Sequence, residues 1–325
     1  MRWLIRVIRV IGVATPVAWV ALSGTPAVDA ASTVGLKHQG MPKAEVAAQT
    51  LVTVTDDFGR SVTVHYPPQR IVSLAPAATS MLSAAGAGGE LVGTIEYSGQ
   101  PASEKKLANV GSAYAVDLER LIALKPDVVV VWPDGNNPAQ IATIERLGIP
   151  VYRQEAVTLD GIGDSLRRLG RLTGMAGAAD RAASALELKL AGLRKQYANV
   201  RHPPTVLLEV WDKPLYTVGG RELMSDALGV CGARNVFAEL PRRAPAIGIE
   251  AVLARNPDMI IAAAPPGQGA SWLAEWRRFP SLQAVRTGRL MAFEDQRLSG
   301  LGPGVIDATA AMCRKIAALR GADAH

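Results

Sequence analysis

The sequence predicts an α/β protein in which two lobes, each built on a mainly parallel β-sheet, are joined by one long helix. Residues 116–132 (VDLERLIALKPDVVVVW) and 247–263 (IGIEAVLARNPDMIIAA) repeat one pattern, an amphipathic stretch, a Pro-Asp pair and an apolar run, which is typical of a helix, a turn and a buried strand. Between the two copies, residues 161–200 carry no strand pattern. A chain of 325 residues is also long enough to form two cores.

The first thirty residues have the organisation of a secretory signal. Arg2, Arg6 and Arg9 precede an apolar centre, and the small-residue ending Val28-Asp29-Ala30 fits cleavage directly after it. The alternative is an uncleaved anchor, because the apolar run is close to the shortest length that spans a bilayer. No cysteine follows the cleavage site, which argues against a lipid anchor. We therefore expect an exported protein and assign residues 1–30 to the signal peptide.

A tail and a hairpin are predicted next, over residues 31–66. The first part lacks apolar periodicity, whereas residues 51–66 (LVTVTDDFGRSVTVHY) alternate apolar and polar positions on both sides of a turn that contains Asp and Gly. The first α/β lobe is predicted over residues 67–175, because short apolar runs alternate there with amphipathic stretches. Its predicted elements are a strand at 70–76, a helix at 77–87, a strand at 91–97 and the first copy of the repeat.

The connecting helix is predicted over residues 176–200. Ala182, Leu186, Leu190 and Leu193 fall on one helical face with charged residues opposite. The helical pattern itself covers about twenty-two residues, 178–199, and a helix of that length extends roughly 33 Å, which suits a strut between two lobes. After Pro203-Pro204 the alternation restarts, and the second α/β lobe is predicted over 201–325, with a strand at 205–211, a helix at 223–232 and the second copy of the repeat.

Composition and motifs argue against catalysis and nucleic-acid binding. The net charge is +6, but Lys and Arg are scattered among Asp and Glu, unlike a nucleic-acid-binding surface. No nucleophile elbow, P-loop or His-Glu-x-x-His motif occurs, and the glycine-rich residues 86–90 follow a predicted helix where a dinucleotide fingerprint follows a strand. The histidines are dispersed and do not predict a metal site. They are His38, His65, His202 and His325.

The chain has two cysteines, Cys231 and Cys313. After export to an oxidising compartment, a disulfide explains them better than a metal pair or a nucleophile does.

Aromatic residues mark the ends of the predicted strands. Tyr97, Trp132, Trp211 and Tyr216 follow strands, and Tyr114 lies in the loop that enters the first repeated helix. Ligands bind outside the carboxyl ends of parallel strands, so two lobes that face each other there leave a cleft. Aromatic planes suit a large, flat, partly apolar ligand. The alternative is that some of these rings fill the cores of their loops.

Several of these segments together resemble the cobalamin-binding branch of the periplasmic proteins that bind siderophores, haem and cobalamin for ABC importers. The segments, in order between residues 70 and 318, are RIVSLAPAATSMLSAAGA, LVGTIEYSGQP, VDLERLIALKPDVVVVW, EVWDKPLYTVGG and LGVCGARNVF. The resemblance implies a class III periplasmic binding protein, with two Rossmann-like lobes, one rigid connecting helix and a corrinoid held between the lobes. Haem or a ferric siderophore is the alternative ligand. We expect a periplasmic monomer with no catalytic cofactor.

The resemblance also implies the residues of the site. The ligand-contacting positions that it assigns are Tyr97, Trp132, Tyr216 and Asp295. This chain departs from the family at two aromatic positions, which are Ala113 and Ala244 here, and Tyr114 could compensate for the first. The family pattern further pairs Cys231 with Cys313.

The repeated glutamates resemble the pair with which the family docks on a two-fold symmetric permease. Glu119 and Glu250 match these positions, one on each lobe. A partner that presents the same surface twice is suited by a protein that carries its own contact twice. The alternative is a purely local role, because a carboxylate in the first turn of a helix gains roughly 0.3 to 1 kcal/mol from the helix dipole.

Overall fold

A computed structural model of the chain describes residues 50–96, 107–300 and 302–321. The predicted signal peptide, the predicted tail up to residue 49, and Tyr97 lie outside these residues, as do His38 and His325.

The predicted hairpin is confirmed. Strands β1 (Thr50–Thr55) and β2 (Ser61–Tyr66) pair antiparallel around the turn that contains Asp and Gly. The side chains of Val62 and Val64 are buried in the main core, which fixes the hairpin against the first lobe. The pleat places alternate residues on opposite faces, so Thr63 between these valines is exposed.

The first sheet contains five parallel strands in the order β5-β4-β3-β6-β7. From β3 the chain first adds β4 and β5 on one side of the sheet, and it then adds β6 and β7 on the other side of β3. The order of strands reverses between β3 and β6, and this reversal is the topological switch point of the sheet. The strands are β3 (Ile71–Ser73), β4 (Leu91–Thr94), β5 (Ala108–Asn109), β6 (Val128–Val131) and β7 (Val151–Arg153). The intervening helices are α1 (Pro76–Ala84), α2 (Leu118–Ala123) and α3 (Pro138–Arg146).

Two helices occupy the segment between the sheets, α4 (Leu159–Thr173) and α5 (Ala176–Leu193), and a π-helical turn (Arg194–Ala198) continues α5. Gly174 separates them in the left-handed conformation, with φ of +79°. The helical face of α5 differs in part from the predicted one. Leu190 and Leu193 are buried as expected, whereas Ala182 and Leu186 are only partly buried, because Ala179 and Ala183 take the innermost positions.

The second sheet has four parallel strands in the order β10-β8-β11-β12, and a short strand, β9, pairs antiparallel with β8. The strands are β8 (Thr205–Trp211), β9 (Tyr216–Thr217), β10 (Arg234–Asn235), β11 (Met259–Ala262) and β12 (Leu290–Ala292). The helices are α6 (Leu223–Val230), α7 (Ile249–Arg255), α8 (Gly269–Trp276), α9 (Gln283–Arg286) and α10 (Val305–Gly321). The predicted disulfide is present, and Cys231–Cys313 joins the end of α6 to α10.

The Pro-Asp pair of the repeat has the same structural role in both lobes. Asp127 Oδ2 accepts hydrogen bonds from the backbone N–H groups of Gln69 (2.8 Å) and Arg70 (2.9 Å), directly before β3. Asp258 Oδ2 accepts from the backbone N–H and the hydroxyl of Thr205, both at 2.8 Å, at the start of β8. The repeat therefore fastens the end of a helix to the first strand of each sheet.

The two lobes share one buried core. It contains residues of the hairpin, α1, α4, α5, α6 and α10, and the described residues from Thr50 onward belong to one compact unit. Polar contacts add to this packing, since the backbone N–H of Leu159 donates to Asp226 Oδ2 of the second lobe at 2.8 Å. None of the helices within the described ranges is long and apolar enough to cross a membrane.

We predict that Asp258→Ala lowers the free energy of unfolding by about 1–2 kcal/mol, because it leaves the part-buried donors of Thr205 without their acceptor. Asp127→Ala should cost less, because its donors are exposed to water. Urea denaturation checks both. The control is Asp180→Ala, which removes a carboxylate that is 62% exposed. An Asp258→Ala protein as stable as the control would contradict this role of the repeat.

Candidate ligand-binding site

A cavity of about 310 Å³ opens at the carboxyl ends of β8, β11 and β12. Trp211 and Asp295 both line it, together with Met224, Pro265 and Phe293. These two predicted site residues come from different strands and are brought together because the carboxyl ends of parallel strands meet at one edge of the sheet.

Trp211 presents an open aromatic surface beside this cavity. Its side chain lies edge-on against Trp272, with ring centroids 6.3 Å apart, and its Nε1 donates to the backbone oxygen of Lys213 at 3.2 Å. Trp211 is nevertheless 51% exposed. A large ring that is held at its edge and left half in solvent is available for stacking with a ligand.

Asp295 is a charged group at the same cavity. Arg297 donates to both of its carboxylate oxygens, from Nε at 2.9 Å and from Nη2 at 2.7 Å. These hydrogen bonds hold the pKa of Asp295 below its ordinary value, against the opposing effect of partial burial. The carboxylate is therefore ionised at neutral pH and balanced by one guanidinium, a pairing that the sequence analysis did not identify.

The remaining predicted aromatic residues occupy different positions. Tyr216 on β9 is the backbone partner of Trp211 and is half-buried, and it does not line the cavity beside Trp211. Tyr114 is 76% exposed, and it does not line that cavity either. Ala113 is half-buried and its backbone oxygen accepts from Asn136 Nδ2 at 3.1 Å, whereas Ala244 is exposed.

Trp132 lies at the carboxyl end of β6 in the first lobe. Its Nε1 donates to Glu155 Oε1 at 2.9 Å, and its backbone N–H donates to Asn136 Oδ1 at 2.7 Å. The ring lies over Gly135, where a Cβ atom would come within 1.9 Å of the ring carbon Cε3. The indole in this position leaves no room for a side chain at residue 135, and the ring is fixed by its hydrogen bond to Glu155 on one side and by the backbone of Gly135 on the other.

The same carboxylate connects the two lobes. Glu155 has a side chain that is only 3% exposed, and it accepts from the guanidinium of Arg243, which belongs to the second lobe. Arg243 also lies 3.4 Å from Asp134, in the loop after Trp132. The lobes therefore touch at the carboxyl ends of β6 and β7. Neither Glu155 nor Arg243 was predicted, because neither lies in the repeat or among the aromatic residues.

A second cavity, of about 640 Å³, lies between residues of the two lobes next to this ion pair. Thr158 lines it from the first lobe, and Arg221, Glu222, Asp226 and Arg243 line it from the second. Burial raises the pKa of Glu222, while hydrogen bonds from the backbone of residues 223 and 224 and the charge of Arg243 act in the opposite direction. The space between the lobes thus combines two guanidinium groups with two acidic side chains.

The two repeated glutamates are exposed in the first turns of their helices. Glu119 lies in α2 and Glu250 in α7, as predicted. Each is accompanied by an exposed isoleucine, Ile122 at 45% and Ile249 at 41%. Each lobe therefore displays one carboxylate and one exposed isoleucine on the corresponding helix.

The chain belongs to the periplasmic binding protein family, whose model matches residues 71–296. It is 32% identical over 249 residues to a vitamin B12-binding protein of Vibrio cholerae, covering 76% of this chain and 89% of that protein. It is 30% identical over 267 residues to a vitamin B12-binding protein of Photorhabdus laumondii, covering 82% and 94%.

Solved structures show the same fold. The periplasmic vitamin B12 binding protein BtuF of Vibrio cholerae superposes with a TM-score of 0.70 at 30% identity, covering 78% of this chain and 98% of that one. The periplasmic haem-binding protein HutB of Vibrio cholerae gives a TM-score of 0.66 at 20% identity, covering 76% and 98%, and this likeness concerns the fold alone. The predicted α/β architecture and its class are thereby confirmed.

Glu209 on β8 is a buried carboxyl group two residues before Trp211. It is 2% exposed and accepts from Trp276 Nε1 at 2.8 Å. Burial raises its pKa to about 7, although the indole hydrogen bond acts in the opposite direction.

We predict that the raised pKa of Glu209 lowers the free energy of unfolding as the pH rises. Between the ordinary carboxyl pKa and about 7, the folded state binds more protons than the unfolded state, so the free energy of unfolding falls with increasing pH, by roughly 3 kcal/mol in total. Glu209→Gln keeps an acceptor for Trp276 and should flatten this dependence in urea denaturation between pH 5 and 7.5. Glu275→Gln, an exposed control, should not. Equal pH dependence in wild type and Glu209→Gln would contradict the assignment.

Proposed function

We propose that this protein captures cobalamin or a related corrinoid between its lobes in the periplasm and delivers it to an inner-membrane ABC importer. The observation that carries the proposal is the half-exposed ring of Trp211, which stands over a cavity at the carboxyl ends of the second-lobe strands with Asp295 at its edge. The relatives named for vitamin B12, at 30–32% identity over most of the chain, support the same ligand class. The protein acts by binding, and it needs no catalytic cofactor.

The chemistry of a corrinoid fits this surface. A corrin is a wide, flattened ring system with amide side chains around its rim, so it needs aromatic surface for its face and polar groups for its edge. Trp211 offers the aromatic surface. The charged pair Asp295–Arg297 and the guanidinium of Arg243 offer donors and acceptors for the rim. We propose that Tyr97, Trp132 and Tyr216 complete the aromatic lining, with Tyr114 at its margin.

Haem is the alternative ligand within this fold. A haem protein would supply an axial Tyr or His to the iron. We propose Tyr97 or Tyr114 as the axial ligand in that case. Both described histidines are exposed and lie away from the carboxyl ends of the parallel strands. They are His65 on β2 and His202, which precedes the first residue of β8. The ligand tests below therefore include hemin.

We predict that the mature protein binds cyanocobalamin in isothermal titration calorimetry, and that Trp211→Ala weakens binding by about tenfold because it removes the stacking surface. Leu188→Ala is the control, since Leu188 is 77% exposed on α5 and should not affect binding. Binding of hemin with a Soret shift, and no heat with cyanocobalamin, would show that the ligand is haem and not a corrinoid. No response to either ligand would remove the proposal.

Delivery gives a separate prediction. We propose that Glu119 and Glu250, with the exposed isoleucines beside them, contact the two subunits of the permease. The double variant Glu119→Arg with Glu250→Arg should bind cyanocobalamin with unchanged affinity and fail to support uptake into cells.

The charge-matched control is Asp180→Arg with Asp164→Arg, which reverses two exposed acidic groups on α5 and α4. This control should support normal uptake. Normal uptake by the Glu119 and Glu250 double variant would show that these glutamates do not dock the protein.

A further inference from the structure

The hairpin β1–β2 precedes the segment that the family model matches, and its turn carries a buried charge. The carboxylate of Asp57 is 0% exposed. A carboxylate that is removed from water costs free energy unless charged and polar partners replace the lost hydration. The hydrogen-bond partners of Asp57 therefore show which parts of the protein the hairpin turn contacts.

Asp57 has four hydrogen-bond donors, all from the first lobe. Oδ1 accepts from Arg168 Nε at 2.7 Å and from the Tyr152 hydroxyl at 3.3 Å. Oδ2 accepts from the Ser165 hydroxyl at 2.5 Å and from the backbone N–H of Glu155 at 2.9 Å. One side chain of the hairpin thus ties together β7, the loop after it and α4.

Glu155 connects Asp57 to the residues of the cleft. Its backbone N–H is fixed by Asp57, while its carboxylate accepts from Trp132 Nε1 and from Arg243. The tilt of the Trp132 ring and the position of the inter-lobe ion pair both depend on where this residue sits. The described contacts form a continuous chain from the hairpin to both lobes.

We propose that Asp57 is a positioning residue for the ligand cleft: it fixes Glu155 so that the Glu155 carboxylate orients the Trp132 ring and anchors Arg243 across the cleft. This inference rests on the proposed function and deepens it, because it gives the hairpin a role in ligand binding. Binding surfaces need their rings held to within about 0.5 Å by a second layer of contacts, and Asp57 belongs to that layer.

Asp56 provides a matched control, since it is adjacent, is 2% exposed and carries the same functional group. Its Oδ1 accepts from the backbone N–H of Phe58 at 2.9 Å and of Arg60 at 2.8 Å, which closes the hairpin turn itself. Its longer contact to the backbone N–H of Arg153, at 3.3 Å, does not involve Glu155. Loss of Asp56 should therefore affect hairpin stability without moving Trp132.

The test is the indole N–H resonance of Trp132 in ¹H–¹⁵N spectra of the mature protein, assigned with Trp132→Phe. We expect Asp57→Asn to shift this resonance and speed its exchange with water, because the Glu155 acceptor moves. Asp56→Asn should leave it unchanged even where the melting temperature falls equally. If Asp57→Asn does not fold, Ser165→Ala provides a milder variant, because it removes one donor from Asp57 Oδ2, the oxygen that also accepts from the backbone N–H of Glu155. Ser165→Ala should shift the Trp132 resonance in the same direction by a smaller amount.

Ligand binding gives the second readout. We expect Asp57→Asn to weaken cyanocobalamin binding by roughly tenfold and Asp56→Asn to leave it unchanged. A Trp132 resonance that is the same in wild type, Asp57→Asn and Ser165→Ala would overturn the inference. So would equal effects of the two aspartate variants on the resonance or on the affinity. Failure of wild type to bind cyanocobalamin would instead remove the proposed function, and the resonance would still test whether Asp57 positions Trp132.

Discussion

The carboxylate of Glu155 is the point on which the geometry of the cleft depends. It is almost completely buried, it accepts from the indole of Trp132 in its own lobe, and it pairs with Arg243 of the other lobe. A buried carboxylate must keep its donors, because the loss of one leaves an uncompensated charge in a poorly solvated place. The relative position of the lobes at this edge is therefore tied to the orientation of an aromatic ring. A ligand between the lobes would meet a surface that is already arranged.

The second constraint is the repeated helix–turn–strand unit. Asp127 and Asp258 fasten the unit to the first strand of each sheet, and the shared core around α4, α5 and α6 fixes one lobe against the other. Because each unit begins with an exposed glutamate, the same construction places Glu119 and Glu250 on the two lobes in equivalent settings. One local fold, used twice, thus anchors the first strand of each sheet and places one exposed carboxylate on each lobe.

Local patterns in the sequence were enough to predict the hairpin and the parallel sheets, because alternation, helical periodicity and strand ends are properties of neighbouring residues. The disulfide was predicted from the two cysteines and expected export, and Asp295 was assigned only by the family resemblance. Helix α4 was not among the predicted elements, although the connecting helix was predicted to begin at residue 176, directly after the left-handed Gly174 that ends α4. The pair Glu155–Arg243 could not be predicted, because two charged residues 88 positions apart leave no local pattern. The same holds for Asp57 and Arg168, which are 111 positions apart and which the hairpin brings together.

We propose that a corrinoid lies between the two lobes at the carboxyl ends of their strands. The most direct test is a crystal structure of the mature protein with cyanocobalamin, measured at the cobalt absorption edge so that anomalous scattering locates the metal independently of the atomic model. If the corrinoid binds between the lobes, one cobalt peak will lie between Trp132 of the first lobe and Trp211 of the second. A cobalt peak on the outer surface of either lobe would contradict it.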